Sequence, residues 1–589
     1  MKDTVLIHDP SLGRWLAFEN PSRILHTSDP AEVLPLLRKV EAAVNGQKLY
    51  AAGFVSYEAA PAFDPALTVR ADHSGFPLLW FGLYQKPHSW NLRMPAMRST
   101  GDQPQWTPSL TREEYSQVMS RIRQYLFNGE TYQVNYTFRL TSPFRQDPFP
   151  LFENLVQAQG AHYSAFIDIG HFALCSASPE LFFRLNGNHL ESRPMKGTTT
   201  RGLTALEDRC RAQTLRDSPK NQAENVMIVD MVRNDMGRVA EKGQVTVDEL
   251  FKVERYPTVW QMISTVSART QASLCDIFSA LFPCASITGA PKPRTMTLIT
   301  REETTPRRIY TGTIGYMAPG RQAQFNVAIR TVLIDKPSGM AEYGVGGGIV
   351  WDSVSGDEYD ECWAKAKVLS ESTAEFKLLE TLLWTPTDGI FLLERHLKRL
   401  EESSEYFGFA PCMETIRSKL AEVKLTQNSR LRLLVSRSGN ITLESAPFDV
   451  ATATRPARVR LAKKPLDISN RFLYHKTTCR QAYEAAWRDT PDCDDVIFWN
   501  PAGELTESTI ANLVVDIGGE LLTPPVTCGL LAGTFRAELL EQGAIKETVI
   551  RLSDLPRIRK FFLINSLRKW REAVISRQDL NDFPLITAY

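Results

Sequence analysis

The stretch RPMKGTTTRG, residues 193–202, sets one lysine, Lys196, between apolar Met195 and a Gly-Thr run that suits neither a helix nor a plain strand. Such an amine is a solvated surface charge or a nucleophile, and a nucleophilic lysine must be neutral in a dry pocket. ENVMIVDMVRNDMGRV is apolar on nearly every side yet carries Glu224, Asp230, Arg233, Asn234 and Asp235. Buried charges need partners, and an internal ion-pair network accounts for them as well as a binding site does. DEYDECWAKAK, residues 357–367, puts Glu358 and Glu361 on one helical face, with Lys365 one turn beyond. Two carboxylates facing one way suit Mg²⁺, which takes one or two protein carboxylates and leaves the rest of its shell to water and substrate. A solvated face with an i,i+4 Glu-Lys pair is the plainer alternative. Between these segments lie SITGAPKPR, FNVAIRT and GVGGGIV. Gly-rich turns expose N–H groups to anions, and Arg330 can fork onto a carboxylate. GVGGGIV lacks the GxGxxG spacing of a dinucleotide loop and also reads as a β-bulge.

The second half carries a different set. GLLAGTFRAELL places a glycine turn before a helix, whose free N–H groups and dipole make a phosphate site. Arg399, on the helix holding HLKRL, is a second candidate phosphate ligand; Glu507 sits in a polar TEST run, and Lys476 lies between Tyr474 and TTCR. An amine, a carboxylate and phosphate anchors are what pyridoxal phosphate requires.

The elements that must position these groups follow from periodicity. Apolar spacing predicts helices over 113–128, 224–240, 358–371 and 391–407, whereas FALCSASPELFFRL and VVDIGGELLTP read as strands meeting at turns and NPAGE as a hairpin. Helix and strand alternate irregularly, so the class is α+β. The pattern changes after Glu371, which puts a domain boundary at 372–376, joined without a Gly/Ser or Pro-rich linker, so that the halves are expected to touch.

At 589 residues the chain exceeds one hydrophobic core. Lys+Arg 68 against Asp+Glu 67 leaves a net charge of +1, which excludes a bulk field for nucleic acid or an anionic membrane. The nine cysteines contain no CxxC pair and read as reduced thiols. MKDTVLIHDPSLGRW has no secretory pattern, no apolar run is long enough to span a bilayer, and there is no repeat of fixed period, so a cytoplasmic location is expected.

In order, SASPELFF, RPMKGTTTRG, ENVMIVDMVRND, FPCASITGAPKPR, FNVAIRT and GVGGGIVWDS...EYDECWAKA resemble the chorismate-utilising enzymes over roughly residues 110 to 370. The resemblance implies a β-sandwich with surrounding helices, a chorismate-binding catalytic domain over 111–372, and a Mg²⁺ site made by Glu224, Glu358 and Glu361. It implies that Thr288, Gly289, Arg330, Lys365 and the backbone of Gly346, Gly347 and Gly348 hold the substrate's carboxylates. Anthranilate synthases read PIAGT where this chain has PMKGT, and PxKGT resembles the aminodeoxychorismate synthases, whose lysine attacks the ring. The resemblance makes Lys196 that nucleophile and Glu180, in SASPE, the general acid/base. Cys284 and Ala285 replace family glycines, and Trp260 and Gln261 replace family histidines, so any proton transfer by that histidine is absent or has moved. WLAFENPSRIL and GFVSYEAAPAFD, within residues 1–110, resemble the N-terminal section of the same enzymes and imply a structural half of the sandwich.

Residues 376–589 resemble the fold-type IV pyridoxal-phosphate enzymes, which include aminotransferases and aminodeoxychorismate lyase, and imply two α/β subdomains. Carried over by motif, Lys476 is the Schiff-base lysine, Glu507 the pyridine-nitrogen partner, Arg399 a phosphate ligand, Thr534 and Phe535 the backbone phosphate cradle, and Asn512 a supporting residue. The two resemblances together imply 4-aminobenzoate formation from chorismate for folate synthesis, with ammonia supplied by a separate glutamine amidotransferase because no glutaminase segment is recognised. They also imply a possible homodimer through the C-terminal half. Alternatives are an anthranilate or isochorismate type synthase joined to an aminotransferase, or a synthase joined to a non-catalytic docking module.

Overall fold

The computed structural model describes residues 2–92, 104–160, 162–369, 376–449, 455–490 and 492–576. Two compact units divide the chain: residues 1–201 with 211–373, and residues 202–210 with 374–589. The boundary expected at 372–376 lies, except for Phe376, outside the described residues.

The first unit is built on two ten-stranded antiparallel sheets. One runs from Gly289–Ala290 through Gln133–Pro143, Met340–Ile349, Thr331–Asp335, Phe172–Ser178 and Tyr163–Asp168 to the strands at Thr4–Asp9, Arg14–Phe18 and His88–Trp90. The other runs from Met195–Thr200 through Val259–Arg269, His189–Arg193, Leu181–Asn186, Gln322–Val327 and Thr313–Ala318 to Tyr50–Val55, Leu79–Tyr84 and Arg23–Thr27. Strands from before residue 110 therefore complete both sheets.

Alternation along these strands sends one face of each sheet inward. Val5, Phe18, Ile167 and Leu174 of the first sheet meet Phe54, Trp80, Ile314 and Tyr316 of the second in one buried cluster. The outer faces are covered by helices: Arg112–Phe127, Pro148–Gln159 and Ser355–Ala366 on one side, Pro30–Gln47, Pro219–Gly237 and Leu274–Leu281 on the other. Arg112–Phe127 starts at a capping box between Thr111 and Glu114 and buries Tyr115, Val118, Met119 and Ile122, the 3.6-residue stripe expected for 113–128. The helix expected from 224 starts earlier, at Pro219, because Ser218 caps it through the Asn221 N–H. The helix expected over 358–371 is Ser355–Ala366, followed by a short 3₁₀ turn.

In the second unit, strands Gly389–Ile390, Leu378–Thr385, Ser429–Val435 and Ile441–Pro447 form an antiparallel sheet. Helices Leu393–Phe407 and Met413–Ala421 share a core with it. An eight-stranded mixed sheet follows, in which the pairing of Leu505–Ser508 with both Asp495–Trp499 and Asn512–Ile517 closes a six-stranded ring. Val459, Ile497, Leu513 and Leu563 are in its core. The NPAGE hairpin and the paired strands Asn512–Ile517 and Glu520–Thr523 stand where the turn signals predict them. Among the described residues no helix is long and apolar enough to cross a membrane.

Candidate active sites

A cavity of about 320 Å³ opens in the first unit, and its lining includes Lys196, Glu180, Glu224, Arg330, Glu358 and Glu361. Met195 faces Ile263 and Thr198 faces Gln261, so the strand carrying Lys196 holds one extra residue against its partner. This bulge, with Gly197 at φ 99, turns Lys196 away from the regular alternation. Gln261 fastens the bulge: its Nε2 donates to the Gly197 carbonyl at 3.0 Å and its Oε1 accepts from Thr198 Oγ1 at 3.0 Å. Asn225 Nδ2 donates to the Lys196 carbonyl at 3.2 Å, and Lys196 Nζ lies 3.6 Å from Glu224 Oε2.

Glu180 is 3% exposed, and burial pushes its carboxyl up to about 7 against a hydrogen bond from Ser286 Oγ at 2.6 Å. A carboxyl at that value exchanges a proton near neutrality. Glu358 is also pushed up, by burial first, although Ser353 Oγ donates to it at 2.7 Å and the neighbouring Glu361 adds like-charge repulsion. Glu361 goes the other way, held down by Lys365 at 2.7 Å. Lys365 Nζ also donates to the Gly346 carbonyl at 2.9 Å, and Arg330, at φ 52, donates to the Lys365 carbonyl.

GVGGGIV is regular strand, paired residue by residue with Gln133–Pro143, and its glycines are there for space rather than for a bulge. A Cβ on Gly348 would meet Lys196 Nζ at 2.2 Å and Gln133 Nε2 at 3.0 Å; one on Gly347 would meet Glu358 Oε2 at 3.0 Å. Thr288 and Gly289, expected to hold substrate carboxylates, do not line the cavity. The Thr288 hydroxyl turns back to the carbonyls of Cys284 and Ala285, and Gly289 packs against the Gln133 carbonyl.

Among the described residues no group of three His, Cys, Asp or Glu is arranged as a metal cage. The donor set nonetheless fits Mg²⁺, since Glu224, Glu358 and Glu361 all line one cavity and that ion asks for only one or two protein carboxylates.

The second unit holds a cavity of about 300 Å³ whose lining includes Lys476, Arg399, Glu507, Asn512, Gly533 and Thr534. Lys476 is pinned to the four-stranded sheet by its carbonyl, which accepts from Leu379 N at 3.0 Å. Burial, and then the Arg399 guanidinium, bring its amine down to about 8. Glu507 is pushed up to about 7 by burial while Tyr483 Oη, Leu531 N and Asn512 Nδ2 donate to it at 2.7, 3.2 and 3.3 Å. Arg399 is forked on Glu380 at 2.9 and 2.6 Å and donates to the Ala532 carbonyl at 3.2 Å.

Glu380, although buried, is held at about 2 by Arg399 and His396. Burial holds His396 toward its neutral form, so Nδ1–H donates to Glu380 at 2.7 Å and Nε2 accepts from the Thr534 hydroxyl at 3.3 Å. Gly533 caps helix Thr534–Glu541 without a side chain, and a Cβ there would meet Asn512 Oδ1 at 1.9 Å. Phe535 does not line the cavity; its ring packs on Phe391 and Trp570, which leaves only its backbone N–H for a phosphate.

These two sites coincide with two family matches. Residues 2–371 match the family model of chorismate binding enzymes. The chain belongs to the chorismate-binding enzyme family. Residues 377–574 match the model of class IV amino-transferases. The chorismate-binding section is similar to aminodeoxychorismate synthase component 1 of Klebsiella aerogenes, 42% identical over 262 residues that cover 44% of this chain and 58% of that protein. It is also similar to aminodeoxychorismate synthase component 1 of Bacillus subtilis (strain 168), 37% identical over 283 residues covering 47% of this chain and 60% of that protein. The match thus spans less than two thirds of those relatives' length. In fold it is similar to anthranilate synthase component I from Streptococcus pneumoniae TIGR4, with a TM-score of 0.53 at 24% identity, covering 63% of this chain and 93% of that one. A class IV amino-transferase domain implies pyridoxal phosphate, and the Gly533 cradle with Lys476 and Glu507 fits that cofactor.

One residue of the chorismate-binding section escapes a reading by motif. Gln133 is fully buried, both atoms of its amide lack a partner among the described residues, and it stands beside Gly348 and the Lys196 amine. Its one sequence signal is a polar residue at a buried strand position. In the other unit, Glu380 and His396 brace Arg399 and Thr534, a role visible only once helix Leu393–Phe407 is laid on strand Leu378–Thr385.

Proposed function

We propose that the chain makes 4-aminobenzoate from chorismate in two steps, one in each unit, on the way to folate. The observation that carries the first step is Lys196 presented on a bulge into the same cavity as a carboxyl near 7, Glu180. In the first step the Lys196 amine adds to ring C2, the double bond shifts, and the C4 hydroxyl leaves as water with a proton from Glu180. Ammonia then adds at C4, Lys196 leaves C2, and the ionised Glu180 takes up the surplus proton, giving 4-amino-4-deoxychorismate. Glu224, Glu358 and Glu361 would hold Mg²⁺, which supplies positive charge for the ring carboxylate, while Arg330, Lys365 and the Gly346 to Gly348 backbone line the remaining wall. A lysine at position 196, rather than the alanine of anthranilate synthases, favours attack at C4 by ammonia over attack at C2. Similarity to a component 1 supports a separate glutamine amidotransferase as the source of ammonia.

In the second step pyruvate is eliminated from aminodeoxychorismate. Pyridoxal phosphate, when bound, acts as the electron sink for this elimination. Lys476, Glu507, Arg399 and the Thr534 and Phe535 N–H groups would hold it at its aldehyde, pyridine nitrogen and phosphate, with Asn512 and Tyr483 bracing Glu507. Lys476, brought down to about 8, is suited to take the proton from ring C4 and to return it to the methylene carbon of the departing enolate.

Product analysis of the purified chain with chorismate, ammonium, Mg²⁺ and pyridoxal phosphate tests the reading. Equal 4-aminobenzoate and pyruvate are expected, and Lys476→Ala is expected to accumulate aminodeoxychorismate. Anthranilate or isochorismate in place of aminodeoxychorismate would overturn the first step. Release of glutamate from added 2-oxoglutarate and an amino acid, without pyruvate release, would make the second an aminotransferase.

A further inference from the structure

The cavity of the second unit is more basic than a single cofactor requires. Its lining carries five arginines, one lysine and a single carboxylate, Glu507. Most of these cations are already engaged. Arg399 is forked on Glu380, Arg432 pairs with Glu444 at 3.2 Å, and Arg480 donates to the Thr509 carbonyl and stacks over Tyr483 at 4.8 Å. Arg430 and Arg568 are different: among the described residues neither enters an ion pair.

Both line the cavity, Arg430 from its exposed rim and Arg568 from a half-buried turn. Strands Leu378–Thr385 and Ser429–Val435 pair with Thr381 opposite Arg432 and Leu383 opposite Arg430. Directly opposed residues share a sheet face, and so do residues two apart, so Arg430 and Arg432 point to the side on which Thr381 lines the cavity. Arg568 stands in the turn between strands Lys560–Asn565 and Lys569–Ile575, half-buried, with its backbone N–H held by Asn565 Oδ1 at 2.7 Å. Burial first, then the Arg571 charge and, after an opposing pull from Asp495, the Arg430 charge press its guanidinium below the ordinary arginine value. Two guanidiniums that repel each other at one cavity, neither of them ion-paired among the described residues, are a place where an anion relieves both.

We propose that Arg430 and Arg568 form a clamp for the carboxylate of the amine substrate, and so select an amine that carries a carboxylate on its ring or side chain. The proposal deepens the reading of the second unit given above and rests on it for the identity of that amine. Arg399 and the Thr534 helix end serve the cofactor phosphate, and the clamp leaves that role to them.

The probes are 4-aminobenzoate and aniline, which differ only by the carboxylate, added to the chain loaded with pyridoxal phosphate, with binding read from the change in cofactor absorbance. Wild type is expected to bind 4-aminobenzoate in preference to aniline. Arg430→Gln and Arg568→Gln are each expected to weaken 4-aminobenzoate binding roughly 10-fold, the loss typical of a charge-assisted hydrogen bond, and to leave aniline and pyridoxal phosphate binding unchanged. Arg430→Lys and Arg568→Lys, which keep the charge and lose the fork, are expected to fall between, and they carry the test if the glutamine variants do not fold.

No preference in wild type, or a preference that survives both substitutions, overturns the clamp. Loss of pyridoxal phosphate binding in the glutamine variants also overturns it, by assigning these arginines to the phosphate. The outcome is separable from the lyase reading. A carboxylate preference that depends on both arginines, without pyruvate release from aminodeoxychorismate, sustains the clamp and sinks the lyase step. Pyruvate release without the preference does the reverse.

Discussion

Each unit sets a lysine and a glutamate in one cavity, and burial brings both glutamates, Glu180 and Glu507, up to about 7. The surroundings separate them. Glu507 is gripped by a tyrosine, an amide and a backbone N–H, whereas Glu180 accepts from one side chain, the Ser286 hydroxyl, and from the Met195 backbone. A carboxylate held by two side chains and a backbone N–H is suited to fix a partner's charge, and one held by a single hydroxyl and a backbone N–H is freer to pass a proton. The lysines differ in the same way. Lys476 sits beside Arg399 and is brought down to about 8, while Lys196 lies 3.6 Å from Glu224 in a wall that also carries Glu358 and Glu361. On the proposed reading a shared pair of residue types serves two chemistries, with a guanidinium beside one lysine and a carboxylate beside the other.

The comparison breaks most visibly if the two lysines are removed separately. Lys196→Ala is expected to lower aminodeoxychorismate formation by about 1,000-fold or more, as loss of a covalent nucleophile does, and to leave the absorbance of bound pyridoxal phosphate intact. Loss of that absorbance in Lys196→Ala would mean that the substitution disturbs the other unit. Glu180→Gln is expected to cost about 100-fold or more in the same step, the range of general acid–base catalysis, and to remove the fall in rate expected of wild type as pH rises through 7. An unchanged pH profile would take Glu180 out of the proton transfer.

The raised carboxyls also carry a sign for stability. Between the ordinary value of 4.5 and about 7 the folded chain binds more protons than the unfolded one at Glu180 and Glu507. Their contribution is therefore fully present below 4.5 and is lost as pH rises through 7. Denaturant midpoints measured across that window should fall with pH at these sites, and each Glu→Gln variant should flatten the slope; a slope unchanged in both variants would contradict the burial argument.

Smaller effects sharpen the contrast in how each lysine is held. Gln261→Leu removes both side-chain bonds that fasten the Lys196 bulge, and roughly a 10-fold loss in the synthase step with bound pyridoxal phosphate unaffected is expected. Full synthase activity in that variant would show that the bulge holds without the clamp. Gly533→Ala, whose new methyl runs into Asn512, should weaken pyridoxal phosphate binding and leave aminodeoxychorismate formation unchanged, measured by cofactor titration.

Much of this was legible in the sequence because the chemistry is local. Glu358, Glu361 and Lys365 sit in one short motif whose spacing already implies a shared face, Lys196 stands out through the resemblance its PMKGT motif carries, and helix Arg112–Phe127 follows from one capping box and one stripe. Strand order was not legible, because the partners of Gln133–Pro143 and Met340–Ile349 are far apart in the chain. The same holds for Gln133: what marks it is that its amide reaches Gly348 and the Lys196 amine, two residues from the direct pairing of Gly348 with Asn135, and no local pattern encodes that. GVGGGIV was open between bulge and strand, since glycines permit both; what decides it is that Lys196 and Glu358 need the space a side chain would fill. Thr288 matches its motif by type, yet its hydroxyl is spent on the carbonyls of its own turn.

The most direct test of two lysines working in succession is a mixture of Lys196→Ala and Lys476→Ala proteins supplied with chorismate, ammonium, Mg²⁺ and pyridoxal phosphate. Neither variant alone should make 4-aminobenzoate, and the mixture should, because the aminodeoxychorismate made on the Lys196 of one protein is consumed on the Lys476 of the other. If Lys196→Ala fails to release pyruvate from aminodeoxychorismate added directly, and the mixture stays inactive, the assignment of one reaction to each lysine is contradicted.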